Sequence, residues 1–220
     1  MNYQPTAIDD DLSTLPKLPA WVTSRRPESL ETVTFRSGAA LTVLDQLVSD
    51  PSHGVPLKLL ANLRALQVAT ATSRLEGRLA REANIRDAYH LAPPGEARGP
   101  DGDILAFWRD AARLKLTGRD WRDTVQGVVG AAFADDVWRW VALGPDCAKT
   151  QGPLADCVAV MCAVLEVDDR AERTACLLSD IVVARALSWK RVLPITAQFL
   201  SKAMLRDVVA EEQDGELTIQ

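Results

Sequence analysis

The chain has 220 residues and a mass of 24.0 kDa, with 47% hydrophobic and 25% charged residues. These proportions are enough for a sizeable core and exclude a wholly disordered chain, a collagen-like repeat and a small disulfide scaffold. A formal net charge of −5 argues against a surface that coats nucleic acid or an anionic membrane as a whole, yet leaves room for a local basic patch. The first residues lack the basic and apolar stretches of a secretory signal, and no run reaches the roughly 18 apolar residues of a bilayer span. The four cysteines, at 147, 157, 162 and 176, never form C-x-x-C. The chain therefore reads as cytoplasmic, with reduced thiols and no membrane partner.

Residues 1–26 read as an extended N-terminal arm. Pro5, Pro16 and Pro19 fix φ and bias their predecessors away from helix, with Leu15, Leu18 and Trp21 as anchors. Pro27-Glu28-Ser29 opens a helix whose apolar residues continue at helical spacing to Asp50-Pro51. A second helix is predicted from Pro56 to near Gly77, its buried side marked by Leu59, Leu63, Leu66, Val68 or Thr70, and Leu75, and a successor covers Leu79–Leu91. Ala92–Gly102 is the clearest loop, after which Asp103 reads as the N-cap of a helix over Ile104–Leu116 closed by Thr117-Gly118. Trp121–Val129 and Ala131–Leu143 follow around Gly130, then Leu154–Val167, Arg170–Leu187 and Leu193–Val209. Alternating β-branched runs between turn signals are absent. The expected architecture is all-α, an irregular multi-helix bundle of about eight to nine helices. It forms one helical domain over 27–209, with a subdivision near 144–153 and a polar tail over 210–220.

Chemistry is read against simpler structural roles. Asp87 and His90 lie on adjacent turns of one helix face, half of what a di-metal bundle needs; the other histidine, His53, sits in a Pro-Ser-His-Gly turn. The cysteine spacing matches no zinc frame and suits buried helical cysteine. There is no G-x-S-x-G elbow, P-loop or dinucleotide fingerprint, so no catalytic residue, metal or cofactor is assigned. Between residues 69 and 109, arginines alternate with acids. The simple account is a salt-bridged helix pair, and the functional one is a polar cleft lined by Arg74, Glu76, Arg78, Asp87 and His90. Toward the C-terminus Arg185, Lys190, Arg191, Lys202 and Arg206 occur with no acid between residues 181 and 206. The turn Ser188-Trp189-Lys190 there joins two helical patterns, loosely as in a helix-turn-helix, which makes DNA a candidate partner. A solvated face is the simpler account. The tryptophans at 108, 121, 138, 140 and 189 are read as core or loop-clamping residues.

Two resemblances arise here. The runs ATATSRLEGRLAREANIRDAYHLAPPGEARGPDGDILAFWRDAARLKL (Ala69–Leu116), PAWVTSRRPESLETVTFRSGAALTVLDQLV (Pro19–Val48) and ARALSWKRVLPITAQFLSKAMLRD (Ala184–Asp207) resemble DUF1403, a bacterial family of unknown function whose members are often plasmid-borne. The resemblance implies a helical protein and brings no activity with it; members tend to be longer than this chain. Second, Thr72-Ser73-Arg74-Leu75-Glu76-Gly77 is similar to the inhibitory helix of Fic-type AMP-transferases and their antitoxins. There the glutamate pairs with an arginine of the nucleotide site. The chain lacks the H-P-F-x-x-G-N-G-R core of those enzymes, so this resemblance implies an inhibitory partner that presents Glu76. The leading expectation is a non-catalytic protein- or DNA-binding, regulatory module with a protein partner. An enzyme with a cleft at Arg74, Glu76, Asp87 and His90 is the alternative from another class.

Overall fold

The computed structural model describes residues 18–23, 29–50, 56–130, 152–198 and 200–213. Among these there are eight α-helices and no β-strand. The expected helix Ala131–Leu143, with Trp138 and Trp140, lies outside the described residues, as do Leu15, His53, Cys147 and the end of the tail. The chain divides into two compact units, Met1–Leu57 and Lys58–Ile219.

In the first unit, α1 spans Leu30–Ser49 with Ser29 as its N-cap, so Ser29 stands outside the helix that it was expected to open, and Pro27 and Glu28 lie outside the described residues. The Ser29 hydroxyl accepts the Thr32 N–H at 3.3 Å, and Glu31 faces the positive end of the helix dipole. The preceding segment is held against α1. The Arg36 guanidinium donates to the Val22 carbonyl at 2.6 and 3.0 Å, and Trp21 stacks on Phe35 at 5.3 Å. Residues 20–22, expected to be extended, form a turn in which the Val22 N–H meets the Pro19 carbonyl at 2.9 Å.

In the second unit, α2 (Leu57–Leu75) carries small residues through its last turns, and Ala65 and the stretch from Val68 to Ser73 are buried on every side. Thr70 and Thr72 satisfy their hydroxyls by donating to the Leu66 and Val68 carbonyls, so both fit inside the core without an orphaned polar group. Leu59 and Leu63, expected on the buried side, are exposed; the buried stretch belongs to the second half of the helix. Gly77, at φ 75°, ends α2 in the left-handed conformation that lets Arg78 N–H reach back to the Ser73 carbonyl at 2.8 Å.

Helix α3 (Glu82–His90) packs on α4 (Gly99–Ala111). The expected N-cap at Asp103 is corrected: the cap is Arg98 and α4 opens at Gly99, five residues before Ile104, because Pro100 is already set for the first helical turn and Asp101 complements the dipole there. Asp103 is exposed in the second turn, while Ile104, Leu105, Trp108 and Ala111 face the core. The indole N–H of fully buried Trp108 donates to Thr72 Oγ1 at 3.0 Å, joining α4 to α2. Helix α4 also ends before the expected Leu116, since Leu114–Leu116 straighten to pair with a distant segment.

Helix α5 spans Trp121–Val129, as expected, and stops at Gly130. Helix α6 (Pro153–Val167) and α7 (Glu172–Ala186) pack antiparallel, with Ser179 Oγ donating to the Cys157 carbonyl at 3.2 Å. Most of α7 is buried. Beyond it the expected helix Leu193–Val209 is corrected. Pro194 supplies no N–H and disfavours helix at Leu193, and the N–H groups of Ile195 and Thr196 go instead to Asp180 Oδ1 at 3.1 and 2.9 Å. A single 3₁₀ turn, Thr196–Gln198, follows, and α8 begins only at Lys202, running to Gln213. Asp180 is fully buried. It also accepts the Thr196 hydroxyl at 2.6 Å, while its Oδ2 has no partner among the described residues. Burial pushes its carboxyl up to about 7, against the pull of the Thr196 and Ile195 hydrogen bonds and of Arg64.

Candidate functional site

The polar residues expected to line one cleft do not assemble as a set. Glu76, just past α2, accepts a bidentate pair from Arg173 in the first turn of α7 (Nε at 2.8 Å, Nη2 at 2.7 and 2.9 Å) and a further bond from Arg78 at 3.0 Å. Arg78 also approaches Asp101 at 3.6 Å. Three guanidinium N–H groups thus occupy the Glu76 carboxylate, which suits a brace between helix ends and leaves it badly placed to take a proton from a substrate. Arg74 is exposed in the last turn of α2, Asp87 pairs with its neighbour Arg86 at 3.0 Å, and exposed His90 meets the edge of Tyr89. A cavity of about 660 Å³ opens beside the clamp, and of the five cleft candidates Glu76 alone lines it.

Other reactive groups are quiet. No group of three His, Cys, Asp or Glu able to hold a metal occurs among the described residues. Burial, reinforced by Asp180 and Asp156, pushes Cys157 up to about 12, far from a thiolate nucleophile, and burial also raises Cys176. No helix among the described residues is long and apolar enough to cross a membrane.

The basic candidates separate into two places. Lys202 and Arg206 lie on α8, where Lys202 pairs at 3.1 Å with the buried Glu172. Arg185, Lys190 and Arg191 join a surface that includes residues from a different part of the sequence. Ser188, at φ 56°, turns the chain out of α7, and Trp189 N–H closes the turn on the Ala184 carbonyl at 2.7 Å. The next residues run beside the stretch after α4: Leu116 N–H donates to the Lys190 carbonyl at 3.0 Å and Val192 N–H to the Leu114 carbonyl at 3.4 Å, so Lys115 and Arg191 form an antiparallel bridge. The helix-turn-helix expectation is corrected here, because the chain beyond Trp189 is extended and presents no second helix across that turn.

In this bonding pattern Lys115 and Arg191 are a non-hydrogen-bonded pair, the arrangement that brings opposed side chains closest. Leu114 and Val192 are buried, and both basic residues are exposed, with no acidic partner among the described residues. Exposed Lys190 and Arg119 likewise have no acidic partner there. Nearby, Trp121 carries Arg185 at 5.3 Å and Arg122 at 5.7 Å from its ring centre. Along 110–123 and 185–191 there are seven basic residues and three acids, Asp110, Asp120 and Asp123, of which Asp110 is taken by Arg113 at 3.0 Å. The sequence marked the second half of this surface and missed Lys115 and Arg119. A lone basic residue after a helix gives no sign of what it will face.

A family model described as "Protein of unknown function (DUF1403)" matches residues 6–218. No curated protein and no solved structure matches the chain. With the match running across nearly the whole sequence, on a helical fold of the kind that the resemblance implies, the chain belongs to the DUF1403 family.

Proposed function

We propose that this chain is a non-catalytic binding protein that grips the phosphate backbone of duplex DNA through the bridged basic surface. The observation that carries the reading is the Lys115–Arg191 pair. Like charges directly opposite one another across a ladder are unfavourable, by about 0.2–1 kcal/mol. Here the fold holds two of them together at its surface with no acid among the described residues to relieve them. A phosphate between them removes the repulsion and releases a condensed counterion from the DNA. The overall charge of −5 keeps the rest of the surface from binding nonspecifically. With no helix projected past Trp189, the contact is to backbone and not to base edges, so binding is salt-dependent and tolerant of sequence.

The partner reading at Glu76 is less well supported: a foreign arginine has to displace Arg173 and Arg78 from a carboxylate they already fill. The DNA reading is tested by fluorescence anisotropy with a labelled duplex of arbitrary sequence over a salt series. Wild type should bind at about 50 mM salt and weaken steeply by about 200 mM. Replacing both Lys115 and Arg191 by Ala should flatten the log K against log salt slope by about 2. No binding at low salt, or an unchanged slope in the folded double variant, overturns the reading.

A further inference from the structure

We infer that the cavity beside the Glu76–Arg173 clamp is a binding site for a small organic anion, a phosphate or carboxylate carried on an apolar body. The cavity lies where the end of α5, the α6–α7 turn, the first turn of α7 and the start of α8 meet. Its volume of about 660 Å³ falls in the range of small-molecule sites. The first observation is the start of α7. This 15-residue helix has Ala171 at its N-cap, with no side chain to take the first-turn N–H groups, so its positive end is open.

The second observation is Thr174, 7% exposed and lining the same cavity. Threonines deeper in their helices turn their hydroxyls onto the carbonyl four residues back, as Thr34, Thr70, Thr72 and Thr124 do. Thr32 and Thr174, each third in its helix, have no helical carbonyl there, and Thr32 turns to Ser29 Oγ at 3.0 Å. Thr174 makes no such bond, and its hydroxyl has no partner among the described residues. Arg170, at the mouth, gives its backbone N–H to Asp168 Oδ1 at 2.9 Å, and its guanidinium has no acidic partner among the described residues.

The acids of the cavity, by contrast, are all engaged. Glu76 is held by Arg173 and Arg78, Glu172 by Lys202, and Asp168 by the Arg170 N–H. Asp168 Oδ2 stays an open acceptor, and the uncommitted donors are the Arg170 guanidinium, the Thr174 hydroxyl and the first-turn N–H groups. An oxyanion satisfies all three kinds. Phe107, Val128 and Val129 form the apolar part of the lining, which suits a hydrocarbon or aromatic body behind the charged head.

Phenyl phosphate, benzoate and inorganic phosphate, titrated by calorimetry into the full chain, test the assignment. Phenyl phosphate or benzoate should bind, and more tightly than inorganic phosphate. Arg170→Ala and Thr174→Val should each weaken binding about tenfold, the size expected for one lost charge-assisted or hydroxyl contact. Thr174→Val keeps the shape of a buried side chain and Arg170 is exposed, so circular dichroism should show both variants folded. Absence of binding by all three probes, equal binding of inorganic phosphate, or affinity unchanged in both variants overturns the site. Neither substitution lies on the Lys115–Arg191 surface, so DNA binding should be unchanged in both, which keeps the two proposals separately testable.

Discussion

Replacing Asp180 by Asn should flatten the chain's stability against pH. In the unfolded chain an aspartate titrates near ~3.9, whereas in the folded state burial pushes Asp180 up to about 7. The folded protein therefore holds this proton more tightly than the unfolded one. Below both values the residue is neutral in either state and costs nothing. As pH rises from about 4 to about 7 stability falls, and above that the full penalty for a buried carboxylate is present. A difference of about 3 units at about 1.4 kcal/mol each gives a total on the order of 4 kcal/mol, with about 3 kcal/mol of it falling between pH ~5 and pH ~8.

The asparagine keeps an oxygen for the Ile195 and Thr196 donors and puts its amide where Oδ2 now has no partner among the described residues. That unpaired amide costs about 1–3 kcal/mol at every pH, an offset that leaves the slope as the readout. Urea unfolding followed by tryptophan emission, with buried Trp108 and Trp189 as reporters, measures both proteins at each pH. The gap between the two should move in favour of the Asp180→Asn variant by about 3 kcal/mol from pH ~5 to pH ~8. Parallel curves would refute the reasoning.

Two further outcomes test the packing. Gly102→Ala would put a Cβ 2.5 Å from Arg98 Cβ and 3.0 Å from the Ala88 carbonyl oxygen, where α3 and α4 meet. It should lower stability by about 1–3 kcal/mol despite the better helix propensity of alanine, seen as a lower urea midpoint; an unchanged or higher midpoint contradicts the close approach. Trp108→Phe removes the indole donor from Thr72 and some core volume, for a loss of about 2–4 kcal/mol. In a double-mutant cycle with Thr72→Val, the two losses should be non-additive by about 1 kcal/mol, and strict additivity argues against the hydrogen bond as a coupling.

The sequence revealed elements wherever local chemistry and packing agree. Helix α5 spans the expected Trp121–Val129 and stops at Gly130, and α6 ends at the expected Val167, each over an apolar pattern of helical period. It misled where a distant partner decides the backbone. Leu114–Leu116 continue the pattern of α4 but straighten to meet Lys190–Val192, and three residues are too few to show a strand's alternation. Leu193–Thr196 look helical, but Pro194 lacks an N–H and the buried Asp180 takes those of Ile195 and Thr196, and nothing about an acid within an apolar run says which donors it will take. The same holds at the candidate sites. Glu76 stood out through its neighbours, yet its principal partner lies 97 residues away. Thr174 is distinguished only by a bond it does not make.

Neither edge of the bridged surface exists on its own. A fragment ending before Lys190 lacks Arg191 and both backbone partners of Leu114 and Leu116. The two cations become neighbours only when both segments are paired, so the polyanion affinity proposed above requires the paired fold. On that proposal duplex DNA should raise the melting temperature of the wild type and leave that of the folded Lys115→Ala/Arg191→Ala variant unchanged.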